Sequence, residues 1–308
     1  MAGEGKEQEV SMETVVVVLG IILLALVPLA GRHMTHLVAS ALLLALAATS
    51  FNLLFGYTGL LSFGHALFWG VGGYTVAVMM ARFGFGYVES IIAALVTSAV
   101  MGAIIGFLCV RHTRIYFAIL TLAFGQMFYG IAVKWDFLGG SDGIYGLPRP
   151  LNSLELYYYV VLAMVLLSLY VLRVITRSSL GLSFMAVRDN AFRAEFLGIG
   201  VRMTRLESFV ISATFTGLAG ALWVLLETAI GPESMFWTHS AEFVFVTLLG
   251  GPRVFLGPAV GSFIYAFLAD VAMSVTEFWL FVIGAVLIGI VLFFPHGVLG
   301  YLLRRFRG

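Results

Sequence analysis

The chain lacks most of what a water-soluble protein or an enzyme needs. Charged residues make up only 11% of its 308 positions, against about 25% in an ordinary soluble domain, so it cannot cover a water-facing surface. Cysteine occurs once, at Cys109 inside an apolar run. That excludes a disulfide framework or a cysteine-built zinc site and leaves the thiol as a small buried hydrophobe. There is no G-x-x-x-x-G-K-[ST] loop to cradle a nucleotide, no H-E-x-x-H helix and no Cys/His ligand pair for a metal. Net charge is only +1, without the basic excess that nucleic-acid binding demands. The chain opens on Glu4, Glu7, Glu9 and Glu13 against Lys6, whereas a secretory signal opens on basic residues. Residues 1–13 are therefore expected to remain as a polar cytosolic tail.

What the chain has in excess is apolar: 61% of it is hydrophobic, with a mean hydropathy of +1.05. The fold class this implies is all-α, a polytopic transmembrane helical bundle of about ten segments, some of them broken or re-entrant. The expected crossings are Thr14–Gly31, two spans within His33–Ala81 divided near Phe55–Gly56, Ser90–Val110, Ile115–Val133, Leu156–Leu172, Ser208–Leu226, an irregular Ser234–Pro252, Val254–Ala269 and Phe278–Pro295. His33–Ala81 contains no Asp, Glu, Lys or Arg, and it is long enough for two crossings. The apolar run Phe243–Pro252 is too short to span alone, so it is joined to Ser234–Ala241 as a broken helix. Residues 14–300 then form one membrane domain, followed by a basic tail at 301–308.

Orientation follows from the basic side chains. Ten crossings with both ends in the cytosol put Lys6, Arg111, Arg114, Arg173, Arg177, Arg188, Arg193, Arg202, Arg205, Arg253, Arg304, Arg305 and Arg307 inside. Only Arg32, Arg82, Lys134 and Arg149 fall outside. Thirteen against four is a strong positive-inside bias. Two outer loops stand out, Asp136–Glu155 with its GGSDGIYGLPRP run and Thr228–Ser240 with a Gly231-Pro232-Glu233 turn. Both face whatever delivers a solute from outside.

Inside lies the longest polar interruption, 174–205, centred on Gly181–Gly200. Phe184, Val187, Ala191, Ala194 and Leu197 recur there at steps of three and four, the spacing of one helix face. Asp189 and Arg193 stand four apart with the acid first, the favourable order for a helical ion pair. Gly198 and Gly200 end the helix. The pattern predicts a short amphipathic helix in the cytosol, with a partner seated on its apolar stripe.

Two glycine-rich segments interrupt the spans. GYTGLLSFGHALFWGVGGY (56–74) carries Tyr57, Thr58, Ser62, Gly64 and His65 at bilayer depth. It reads either as an interrupted helix lining a pathway or as a tightly packed glycine face whose His65 is hydrogen-bonded inside the bundle. LLGGPRVFLGPAVG (248–261) occupies a corresponding position in the second half. Paired interrupted segments point to a midplane site in transporters; a plain helix–turn–helix with Arg253 at the surface is the other reading. Among ionisable residues near spans, Glu242 is singled out because it adjoins the broken segment. Ser62 and His65 lack a third partner in the sequence, so intramembrane proteolysis is set aside.

Several stretches together, in order, resemble the permease subunits of ATP-binding-cassette importers for branched-chain amino acids, the LivM type. They are FNLLFGYTGLLSFGHALFWGVGGYT (51–75), RIYFAILTLAFGQMFY (114–129), GGSDGIYGLPRP (139–150), SLGLSFMAVRDNAFRAEFLGIGV (179–201), FVISATFTGLAGALW (209–223), PESMFW (232–237) and LFFPHGVLG (292–300). The resemblance covers roughly residues 45–300. The chain departs from the family's GG-x-G-T segment at GGPRVFLGP.

The resemblance implies that Arg188, Asp189, Asn190, Arg193, Ala194, Glu195, Leu197 and Gly198 form a coupling helix that engages two ATPase subunits. It further implies a second, homologous permease, an external substrate-binding protein and a surrounding bilayer, with ATP bound by the partners and no cofactor in this chain. Tyr57, Thr58, Ser62, Gly64, His65 and Glu242 are the expected pathway residues. The expected activity is passage of leucine, isoleucine, valine or close relatives through a bacterial or archaeal plasma membrane. Relatives that carry urea or short amides, and a stand-alone secondary transporter or channel, remain the alternatives.

Overall fold

The computed structural model describes residues 20–112, 115–293 and 297–301. Lys6, Arg114, Arg304, Arg305, Arg307, the tail 1–13, nearly all of the tail 301–308 and part of the 292–300 motif lie outside the described residues. The helices are α1 (Gly20–Ala30), α2 (Arg32–Asn52), α3 (Ala66–Phe83), α4 (Tyr87–Cys109), α5 (Ile115–Lys134), α6 (Leu154–Arg177), α7 (Ser179–Phe196), α8 (Val201–Glu227), α9 (Trp237–Gly250), α10 (Gly257–Val275) and α11 (Trp279–Phe293). Two short strands, β1 (Ile144–Tyr145) and β2 (Ala229–Ile230), are added outside them.

Among the described residues seven helices, α2 to α6, α8 and α10, are long and apolar enough to cross a bilayer. The remaining three of the ten expected segments are shorter helices: α1, α9 and α11. At α9 the irregularity expected from sequence takes a definite form. A 3₁₀ turn, Pro232–Met235, precedes a helix of only 14 residues, about 21 Å long and thus short of a 30 Å core.

Small side chains decide the centre. α2 is alanine-rich, and Ala39, Ala41, Ala45, Ala47 and Ala48 are all buried, so its neighbours approach its backbone closely. α8 packs against α2, α3 and α4, while α9 and α10 cover another side of α2. On α4, Gly102 and Gly106 stand four apart and face Ala213 and Phe209 of α8, the small-xxx-small pattern of membrane helix crossings. On α8, Gly217 and Gly220 meet Ser98 and the Trp69 carbonyl. α4 turns Ile92, Val96, Val100 and Ile104 outward, a ridge at four-residue steps suited to lipid.

The alternating helices separate the basic residues. Arg111 and Arg202 share the Phe107 ring at one end, where Arg173 also lies over Phe255. At the other end Arg82 lies over Phe137 and Arg149 donates to the Leu226 carbonyl at 3.0 Å. At that second end the loops expected on the outside, Asp136–Glu155 and Thr228–Ser240, are tied together. β1 and β2 pair antiparallel, Ile144 with Ile230 and Tyr145 with Ala229, and the Leu147 amide donates to the Thr228 carbonyl at 3.1 Å. Gly143 makes the join possible: its φ is +85°, and a side chain there would strike the Ile230 carbonyl.

Candidate functional site

The interrupted segment after α2 begins with a π turn, Leu53–Tyr57, a form that clusters at functional sites. It ends at the basic pole. Thr58 donates to the Leu53 carbonyl at 3.0 Å, and Tyr57 faces Thr176 and Arg173 of α6. Gly59, at φ +78°, presses its bare Cα against Arg188 of α7. The chain then turns back into the bundle, where Gly64 meets the Thr121 carbonyl of α5 and the Ala66 amide donates to the Ser240 hydroxyl at 2.8 Å.

His65 is fully buried. Ser212 gives its single proton to the Ser50 carbonyl at 2.6 Å. The 2.8 Å contact between Ser212 and His65 Nε2 therefore has the imidazole as donor. Thr216 joins the same network through the Ser50 hydroxyl at 2.8 Å. Phe51, Phe68 and Phe209 pack edge-on around the ring. His65 Nδ1 and the Ser62 hydroxyl have no hydrogen-bond partner among the described residues. The histidine's hydroxyl partner is Ser212 rather than Ser62, and among the described residues no acid orients it, as a catalytic triad would require.

The two glycine-rich segments of the sequence meet in space. Gly56 lies against the Pro252 carbonyl, and Thr247 donates to the Ala48 carbonyl at 3.4 Å. Gly250, Gly257, Gly261 and Gly297 interlock backbone to backbone beside this junction. Five of the expected pathway residues, Tyr57, Thr58, Ser62, Gly64 and His65, thus descend from the basic pole into the core. Glu242 is elsewhere. It lies two residues from Ser240, hence about 200° around α9, and pairs with His239 at 2.9 Å. An unpaired carboxylate at mid-bilayer costs about 2.5–3.5 kcal/mol, so its partner belongs to any account of it.

At the basic pole α7 leaves α6 through a tight corner. Ser178 donates to the Ile175 carbonyl at 2.7 Å, and Gly181 fits against the Thr176 carbonyl where no side chain could. α7 is two pieces. Asn190 has φ −160° and ψ 100°, and its side-chain oxygen accepts from the Arg193 amide at 3.0 Å, so it caps a second short stretch. Two sequence expectations change as a result. Residues 189 and 193 no longer share a face, and Asp189 pairs with Arg188 at 2.9 Å instead. The apolar stripe also divides. Phe184, Val187 and Ala194 are buried against their own bundle, whereas Leu197 is exposed, together with Phe192 and Phe196. The last two rings touch at 4.7 Å between centroids. Periodicity carried to Leu197 had assumed an unbroken helix.

Arg188 ties α7 to the interrupted segment after α2. Its guanidinium donates to the Gly56 carbonyl at 2.7 Å while held by Asp189. Beside it opens a depression of about 610 Å³ lined by Thr58–Leu60, Val187–Ala191 and Arg205. The Arg205 Nε is buried there without a hydrogen-bond partner among the described residues. The resemblance had named Arg188 for the coupling helix, but neither its bond to the Gly56 carbonyl nor the place of Arg205 at this joint could be read from sequence. Among the described residues no group of three or more His, Cys, Asp or Glu could hold a metal ion.

Residues 33–291 match the family model described as branched-chain amino acid transport system, permease component. The chain belongs to this family. It is 27% identical over 278 residues to the high-affinity branched-chain amino acid transport system permease protein LivM of Escherichia coli K12, covering 80% of this chain and 65% of the relative. The LivM of Salmonella typhimurium LT2 matches to the same extent. The chain thus spans about 65% of the length of these relatives. It is also 30% identical over 212 residues to the autoinducer 2 import system permease protein LsrC of Klebsiella pneumoniae, covering 62% of this chain and 58% of that one. No solved structure matches the chain. Seven apolar helices of spanning length, among the described residues, accord with membership of a membrane permease family.

Proposed function

We propose that the chain is the membrane-spanning permease subunit of an ATP-binding-cassette importer for branched-chain amino acids or close relatives. It resides in a bacterial or archaeal plasma membrane with α7 and both termini in the cytosol. Two ATPase subunits, a second homologous permease and an external substrate-binding protein complete the assembly, and ATP is bound by the ATPases.

The observation that carries this reading is the build of α7. One face is fastened to the bundle through Gly181, Phe184, Val187 and Ala194, so a force on the helix is passed on rather than absorbed. Its far end presents Phe192, Phe196 and Leu197 to the outside, apolar anchors that a soluble ATPase groove can cover. Between the two, Arg188 bonds the Gly56 carbonyl, and Gly56 abuts Pro252. Movement of the ATPase dimer reaches both glycine-rich segments along this line. The pathway then opens to alternate sides around Tyr57, Thr58, Ser62, Gly64 and His65, with Glu242 on a separate wall.

The similarity to an autoinducer import permease favours a second reading, a sugar-like solute carried by the same machinery. The test is reconstitution with the ATPases and binding protein of the proposed assembly. Leucine, isoleucine and valine should enter proteoliposomes only with ATP. ATP-driven entry of autoinducer 2 without amino-acid uptake would install the second reading, and uptake without ATPases would refute both.

A further inference from the structure

The first two turns of α9 carry side chains that do not suit their depth. His239 and Glu242 are one turn apart, Nδ1 to Oε2 at 2.9 Å, and the Tyr265 phenol of α10 faces the same carboxylate. Tyr265 lies well inside Gly257–Val275. At 1.5 Å per residue it is about 12 Å from one end of that helix and about 15 Å from the other. The pair is therefore close to mid-bilayer, too deep for a short glutamate side chain to reach either interface.

Nor is the pair sealed inside the bundle. The Glu242 and His239 side chains keep 28% and 33% of their surface exposed, at the edge of a strip of α9 where Trp237, Thr238 and Phe245 are also exposed. Lipid is an unsuitable neighbour for these atoms, because ionisable groups at this depth face protein or a water-filled cavity. The outer loops lead down to the same place. After β2 the chain dips into the bundle, Met235 meets Gly70 of α3, and the Phe236 ring lies tilted against Tyr129 of α5, 5.0 Å between centroids. The pair thus stands where the loop carrying the Gly231-Pro232-Glu233 turn ends inside the bundle.

We infer that Glu242, held by His239 and Tyr265, lines a water-filled route and recognises the ammonium group of a zwitterionic amino acid. The inference rests on the importer reading and adds the chemistry of its solute. The ammonium of a zwitterion can take the place of the His239 N–H at the Glu242 carboxylate. A neutral sugar-like solute has no cation to offer there, so Glu242 separates the two readings at the level of the permease. Glu242 is a specificity residue here; Tyr265 and His239 position it.

The experiment uses the assembled transporter in liposomes. Cys109 is this chain's single cysteine and is buried, so Thr238→Cys gives the permease one reactive thiol beside the intact pair, and labelling is read on the permease band. The rate ratio of cationic trimethylammonium-ethyl methanethiosulfonate to the anionic sulfonatoethyl reagent should exceed their ratio on a small free thiol about tenfold, as a carboxylate beside the site enriches cations. Leucine in excess should slow the reaction, and adding Glu242→Gln should return the ratio to the free-thiol value. Absence of reaction with either reagent, or a ratio equal to that of the free thiol, overturns the inference. ATP-driven leucine uptake by the unmodified transporter is read in parallel. Uptake without charge preference sinks only the Glu242 assignment, whereas charge preference without any ATP-dependent uptake sinks the importer reading and leaves the site standing.

Discussion

Phe196→Ala separates the docking role of α7 from its structural role. The ring is 77% exposed, so the permease loses little when it is removed. Covering such a ring in a partner groove hides roughly 150 Å² of apolar surface, worth about 4 kcal/mol at 25 cal/mol per Å². Ordering of side chains and an imperfect fit offset about half of that. A net loss of about 2 kcal/mol corresponds to a roughly thirtyfold weaker complex. The comparison is Phe184→Ala, on the same helix but with no exposure, which should cost about 3–5 kcal/mol of the permease's own stability. Ala194→Glu belongs with Phe184, since Ala194 is 2% exposed and would carry a charge into the bundle. The assay is titration of purified ATPase onto immobilised permease, with a thermal melt of the permease alone. Phe196→Ala should shift the titration and leave the melt unchanged; Phe184→Ala should shift the melt. An unchanged titration for Phe196→Ala together with Phe192→Ala would refute the anchoring argument.

Gly64→Leu and Gly72→Leu should prevent stable assembly, because each position faces a backbone carbonyl, of Thr121 and of Gly217. Gly130→Leu, with nothing within 4 Å, should be tolerated, and size-exclusion profiles in detergent compare them. Gly143→Ala should free the joined outer loops, since φ is +85° and the Ile230 carbonyl leaves no room. Faster proteolysis within 139–150 with an unchanged melt of the spans is the expected signature, and unchanged proteolysis would count against it. Asn190→Ala should cost the second stretch of α7 its cap, about 1 kcal/mol, and weaken ATPase binding while Asn190→Asp preserves it. Cysteines placed at Ser141 and Ser183 should label from opposite sides of the membrane; labelling from one side would overturn the topology.

Much of the architecture was legible because bilayer physics is read from composition and run length. A segment such as Tyr87–Cys109 has no other stable state in hydrocarbon than a helix with every backbone group paired. Basic side chains likewise sort to one pole because of the cost of translocating them. The glycines of 56–74 and 248–261 announced close approach, and the order of motifs carried the family.

Only the tertiary structure decided what each side chain meets. A one-dimensional period cannot foresee a helix break, so Asn190 moved Ala194 into the bundle, left Leu197 outside and gave Asp189 to Arg188. No local pattern could announce that Ser212, 147 positions from His65 in the chain, would be its partner, or that Gly56 would rest on Pro252. Glu242 shows the division most plainly. The sequence flagged it as a carboxylate beside a broken span, while its depth, its pairing with His239 and its open edge on α9 exist only once α10 has packed against that helix. Burial and pairing are properties of contacts between distant segments, and those are set by packing rather than by neighbours along the chain.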